Sequence, residues 1–66
     1  MTNISANTVI TFYSGWRVLD KAWIPGELSW SAAEQYARAY IQENGLKDCT
    51  EFTVDIEISR HYKVEG

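Results

Sequence analysis

Two side chains in this 66-residue sequence could form a thiol nucleophile and its base: the single cysteine, Cys49, and the single histidine, His61. Covalent catalysis of that kind needs the imidazole within hydrogen-bond reach of the sulfur. The residues between them alternate like one β-strand, and twelve residues of extended chain at ~3.3 Å each would hold the pair roughly 40 Å apart. The spacing predicts a small, partly buried cysteine and a solvent-facing histidine rather than an enzyme.

Asp55 and Glu57 would share one face of that strand, with their Cβ atoms ~7 Å apart. Paired carboxylates can act as general acid and base in glycoside hydrolysis, but that chemistry needs a substrate cleft that so short a chain can hardly supply. With Glu51 they also form an acidic rail whose repeat is comparable to that of the phosphates along a DNA strand. Arg60 and Lys63 follow closely and dilute it. A solvated sheet face whose charges resist aggregation is the simpler expectation. Phosphate loops, dinucleotide fingerprints, EF-hand loops and paired Cys or His zinc ligands are absent from the sequence. No catalytic set, metal or cofactor is expected.

The aromatic content is the richer signal. Three Trp, four Tyr and two Phe make up 14% of the chain, and each ring can bury roughly 150–250 Å². Nine rings are more than one helix on three strands can easily hide. Exposed Trp and Tyr are the commonest hot spots for protein binding. Tyr13, Trp16 and Tyr62 are the aromatic candidates for a partner contact, with Asp55, Glu57 and Arg60 as charged ones. The seven-residue spacing of Trp16, Trp23 and Trp30 is not a heptad, because Gly15 and Pro25-Gly26 interrupt any helix there. Aromatic rings on an open sheet can also stack nucleic-acid bases. Arg17, Lys21, Arg60 and Lys63 would have to converge to support this, and the net charge of −3 has the wrong sign for a dedicated nucleic-acid binder.

These residues need elements to position them. A hydrophobic fraction of 45% and a charged fraction of 23% describe a folded chain. Its length supports a single domain spanning residues 1–66, with residues 1–7 frayed. One cysteine allows no disulfide within the chain. Without a leader-like start or a run of ~18 apolar residues, a soluble protein of a reducing cytoplasm is expected, away from membranes.

Residues 8–13 are β-branched and aromatic and read as a strand; 16–24 read as a second, joined by a turn at Ser14-Gly15. An alternative closes the hairpin at Asp20-Lys21, with Gly15 as a bulge. After Pro25-Gly26 comes an amphipathic helix over 31–44. Ser31 and Glu34 form its capping box, with Ser29 as a rival cap. Ala33, Ala37, Tyr40 and Ile41 line its buried face, with Tyr36 on the flank. Gly45 and Leu46 supply a Schellman stop, Leu46 folding back on Ile41. Phe52, Val54, Ile56 and Ile58 then alternate against polar residues in a final strand that continues through Arg60, Tyr62 and Val64.

The expected architecture is therefore α+β, a β-β-α-β domain with a three-stranded antiparallel sheet and one helix across one face. A helix of about 21 Å matches the strand from Phe52 to Ile58 at about 20 Å. Residues 60–64 would then overhang the core, available to another chain as a dimer contact or for strand addition. In size, acidity and coarse layout the chain resembles standalone proteins of bacteriophages and mobile elements, including inhibitors of bacterial defence such as anti-CRISPR proteins. That resemblance implies a non-enzymatic inhibitor or adaptor that binds another protein.

Overall fold

In the computed structural model, which describes residues 7–65, four strands and one helix follow in the order β1 (Asn7–Ser14), β2 (Arg17–Pro25), α1 (Trp30–Glu43), β3 (Glu51–Asp55) and β4 (Ser59–Lys63). The sheet is antiparallel, in the order β2-β1-β3-β4. The α+β class and single helix are as expected, but the sheet has four strands, not three. Apart from Asn7, which opens β1, the residues expected to fray lie outside those described.

The fourth strand arises because the C-terminal run is a hairpin. Asp55 pairs with Ser59, and residues 56–58 form the turn, closed by the Ile56 N–H donating to the Ile58 carbonyl at 3.1 Å. Ile56, Glu57 and Ile58 include none of the usual turn residues and keep the strand-like alternation going through the bend, so the period alone does not betray it. The three-residue turn also preserves parity: Arg60 lands opposite Val54, and Tyr62 opposite Phe52. The residues expected to overhang the core therefore fold back onto it.

The first hairpin turns at Gly15 and Trp16, one residue later than the expected Ser14-Gly15 turn, with Ser14 still in β1 opposite Arg17. Gly15 has φ +67, the left-handed value a two-residue hairpin turn requires at its first central position. Asp20 and Lys21 lie within β2, which excludes the alternative turn. The imperfect alternation of β2 is a β-bulge: Phe12 pairs with Asp20 and Tyr13 with Val18, leaving Leu19 as the extra residue.

The helix starts one step earlier than the capping-box reading placed it. Ser29 is the N-cap, its hydroxyl accepting from the Ala32 N–H at 3.1 Å, and Glu34 instead pairs with Arg38 at 2.9 Å. Its end is the expected Schellman motif: the Gly45 N–H donates to the Gln42 carbonyl and the Leu46 N–H to that of Ile41. Ala33 and Ala37 are fully buried, and their small side chains let the helix settle close over the two inner strands. Beneath it, Phe12 and Phe52 meet at 6.2 Å between centroids, while Tyr40 stacks on Phe12 at 4.8 Å and Tyr62 on Phe52 at 5.1 Å. Ile10 and Val54 complete the core. Thr8 locks the entry to the helix, its hydroxyl donating to the Gly26 carbonyl and accepting from the Leu28 N–H.

Candidate protein-binding face

With α1 on one side of the sheet, the strand register specifies what the other side presents. The residues out of phase with the core are Val18, Lys21 and Trp23 on β2, Val9, Thr11 and Tyr13 on β1, Glu51, Thr53 and Asp55 on β3, and Ser59, His61 and Lys63 on β4. No described element covers them. The face divides into two halves. Its β1–β2 half is apolar and aromatic, and its β3–β4 half is polar and charged.

The apolar half is unusually exposed for its size. Trp16, at the hairpin tip, is 92% exposed, Trp23 66% and Val18 55%. Were Leu19 an ordinary ladder position, Val18 would fall on the same side as Asp20 and Ala22, so the bulge is what brings it into phase with Lys21 and Trp23. Lys21 lies with its Nζ 5.6 Å from the centre of the Trp23 ring, which keeps an ammonium over an otherwise bare indole. Tyr13, half-buried, joins Trp16, Glu51, Thr53 and His61 around a shallow depression of about 240 Å³ at the hairpin end.

On the polar half, His61 Nε2 lies 2.8 Å from Glu51 Oε1, and Lys63 is the cross-strand partner of Glu51. The acidic rail is thereby dismantled. Glu51 is engaged, Asp55 ends β3, and Glu57 sits beyond it in the turn rather than on the strand face. The expected spacing between Asp55 and Glu57 does not apply, because strand geometry ends at Asp55.

The other candidates lie on the helix side. Arg60 stacks over Trp30 at 4.4 Å from the ring centre, and Tyr62 stacks on Phe52. Of the six residues expected to make a partner contact, Tyr13, Trp16 and Asp55 share the open face, whereas Glu57, Arg60 and Tyr62 do not. The four cations considered for nucleic-acid binding do not converge either. Arg17 and Lys21 belong to β2, and Arg60 and Lys63 to β4, the opposite edge. Three inter-strand spacings of ~4.8 Å put those edges ~14 Å apart. Trp23 and Val18 are the residues the sequence reading overlooked, and Lys21 figured there only as a cation for nucleic acid. The signal was local: Ala22 and Ile24 share a face, so Lys21 and Trp23 must share the other.

Cys49 and His61 are closer along the sheet than an extended strand would allow, since His61 pairs with Thr53, only four positions beyond Cys49. They are kept apart by their partners. The Cys49 thiol is buried and donates to the Glu51 carbonyl at 3.4 Å, and burial pushes its pKa up, against the thiolate. The Tyr40 hydroxyl is also raised, chiefly because it donates to the Asp20 carboxylate.

Both sheet edges are blunted. β2 carries the Leu19 bulge, Lys21 at mid-strand and Pro25 at its end. β4 has five residues, and Arg38 donates to the carbonyls of Val64 and Lys63 at its end, at 3.0 and 3.4 Å. These are the devices by which sheets discourage the addition of further strands.

The fold and its open face define a small α+β domain with one layer of helix and one uncovered face of sheet. No protein-family model, no curated protein and no solved structure matches the chain. Among the described residues no helix is long and apolar enough to cross a membrane, and no group of three or more His, Cys, Asp or Glu is placed to hold a metal.

Proposed function

We propose that the chain is a non-enzymatic interaction module that binds a partner protein through the β1–β2 half of its open sheet face. The observation that carries this reading is the alignment of Trp16, Val18 and Trp23, each more than half exposed, beside one hairpin. Indoles have only two side-chain torsions to order, and they supply the large rigid area that protein hot spots use. Contact through the face rather than an edge agrees with the blunted edges and with the folding back of residues 60–64, which leaves no overhanging strand for a second copy. Binding acts by occupying the partner's surface, as an inhibitor or adaptor does. The resemblance in size and acidity to inhibitors of bacterial defence makes that machinery the first place to look.

The test is affinity capture from a lysate of the source organism, followed by titration of the purified partner. Trp16→Ala and Trp23→Ala should each weaken binding by about 30-fold or more, while Tyr62→Phe leaves it unchanged. Capture that survives both tryptophan changes would overturn the reading. So would selective binding of a single-stranded oligonucleotide that weakens steeply with salt, which would assign the same rings to base stacking.

A further inference from the structure

A second feature lies on the helix side of the sheet, apart from the open face. Where α1 begins, residues 27–30 and the β3–β4 turn enclose a cleft of about 440 Å³. Its apolar lining comes from Leu28, Trp30, Ile56 and Ile58, and its carboxylates from Glu27 and Glu57. We propose that this cleft receives the side chain of an arginine or lysine presented by a partner protein.

Three observations lead to a cation with an apolar stem. Ile58 is 65% exposed at the cleft, so apolar surface awaits a methylene chain of the kind that Lys and Arg lay along hydrophobic walls. Glu27 and Glu57 are both exposed, and neither makes a salt bridge among the described residues, so their charge is free to meet an incoming cation. Trp30 already takes one guanidinium, that of Arg60, over its ring at 4.4 Å. That contact shows the indole is placed to meet a cation, and with one face taken by Arg60 its remaining part in the cleft is apolar wall. The volume falls within the range of small ligand sites.

Two features oppose a cation: the positive end of α1, whose first turn holds no acidic residue, and Arg60 itself. The helix end is worth about half a charge, so the two carboxylates outweigh both together. A cation whose stem lies on Leu28 and Ile58 carries its charge into a cleft that Glu27 and Glu57 also line. An anionic side chain would meet both carboxylates. The choice of a polypeptide over a free polyamine rests on the apolar lining, which rewards a stem flanked by further apolar groups.

The test is an NMR titration read at the Trp30 indole N–H, using two blocked pentapeptides, Ala-Leu-Arg-Leu-Ala and Ala-Leu-Glu-Leu-Ala, with spermidine as a third ligand. The Arg peptide should shift Trp30 with a millimolar Kd, and the Glu peptide should bind at least about tenfold more weakly. Glu27→Gln with Glu57→Gln should weaken the Arg peptide at least about fivefold, with the amide spectrum otherwise unchanged. An absent shift with the Arg peptide, equal shifts with both peptides, or undiminished binding to the double variant would overturn the proposal. Spermidine saturating below the peptide would overturn it in favour of a free polyamine. Tryptophan changes on the open face leave this readout intact, so the two surfaces succeed or fail separately.

Discussion

The Tyr40 hydroxyl donates a 2.8 Å hydrogen bond to the Asp20 carboxylate, joining the last turn of α1 to β2 just beyond its bulge. Asp20 faces the helix because it pairs with Phe12, so a charged residue sits in line with the aromatic core and is satisfied there by the phenol. The Tyr40 proton is held above the ordinary tyrosine range, first by that bond and then by burial.

The folded state therefore keeps a proton that the unfolded chain releases near pH ~10. The associated stability is fully present below that pH and is lost as pH rises through the folded value. Tyr40→Phe should cost about 0.5–1.5 kcal/mol at neutral pH. The gap from the wild type should narrow in urea unfolding above pH ~10. Cys49, also raised, is present in both proteins and cancels in the comparison. A gap that stays constant with pH would detach the shift from this bond.

Phe52 holds the centre of the aromatic row, between Phe12 and Tyr62, with the Arg38 guanidinium 5.4 Å from its ring centre. Truncating a buried Phe costs about 3–5 kcal/mol, and a chain of this length has on the order of 3–10 kcal/mol in all. Phe52→Ala should leave much of the population unfolded by far-UV circular dichroism at room temperature. Phe52→Leu should fold with a lowered midpoint.

Much of this fold could be read from the order of residues, and the reasons divide cleanly. The helix was legible because Ala33, Ala37, Tyr40 and Ile41 repeat at its period and Gly45 stops it by a backbone rule. The first turn was legible to within one residue because Gly15 supplies a left-handed φ. The second turn was not, since Ile56-Glu57-Ile58 bends without glycine, proline or asparagine and keeps the two-residue period on both sides. Half the candidate site was missed for a related reason. Trp23 looks like a core residue by type, and only its phase with Lys21 reveals that it faces away from the helix.

Arg38 ties the helix to the last strand, pairing with Glu34 and donating to the Val64 and Lys63 carbonyls. Arg38→Met keeps the stem and removes the donors. Hydrogen exchange should quicken selectively in β4, by about fivefold or more, corresponding to about 1 kcal/mol. Uniform acceleration through β1 and β3 would show that the residue supports the whole domain instead.

The exposed indoles separate binding from stability. Trp16→Ala, at a side chain 92% exposed, should change unfolding stability by no more than about 0.5 kcal/mol while weakening partner binding by about 30-fold or more. Gly15→Ala, one residue earlier, should do the reverse to stability. Open space surrounds the added Cβ, so its cost, of roughly 1–2 kcal/mol, is the left-handed backbone alone. Thermal melts of the two variants beside the wild type distinguish these effects.

Blunted edges on both β2 and β4 have a consequence for stoichiometry. An open edge can template another strand, whose own edge then templates the next, so such contacts grow without limit. A face is consumed once something lies on it. If the tryptophan surface binds as proposed, its complexes should have fixed composition, ending at the first partner instead of growing into fibres.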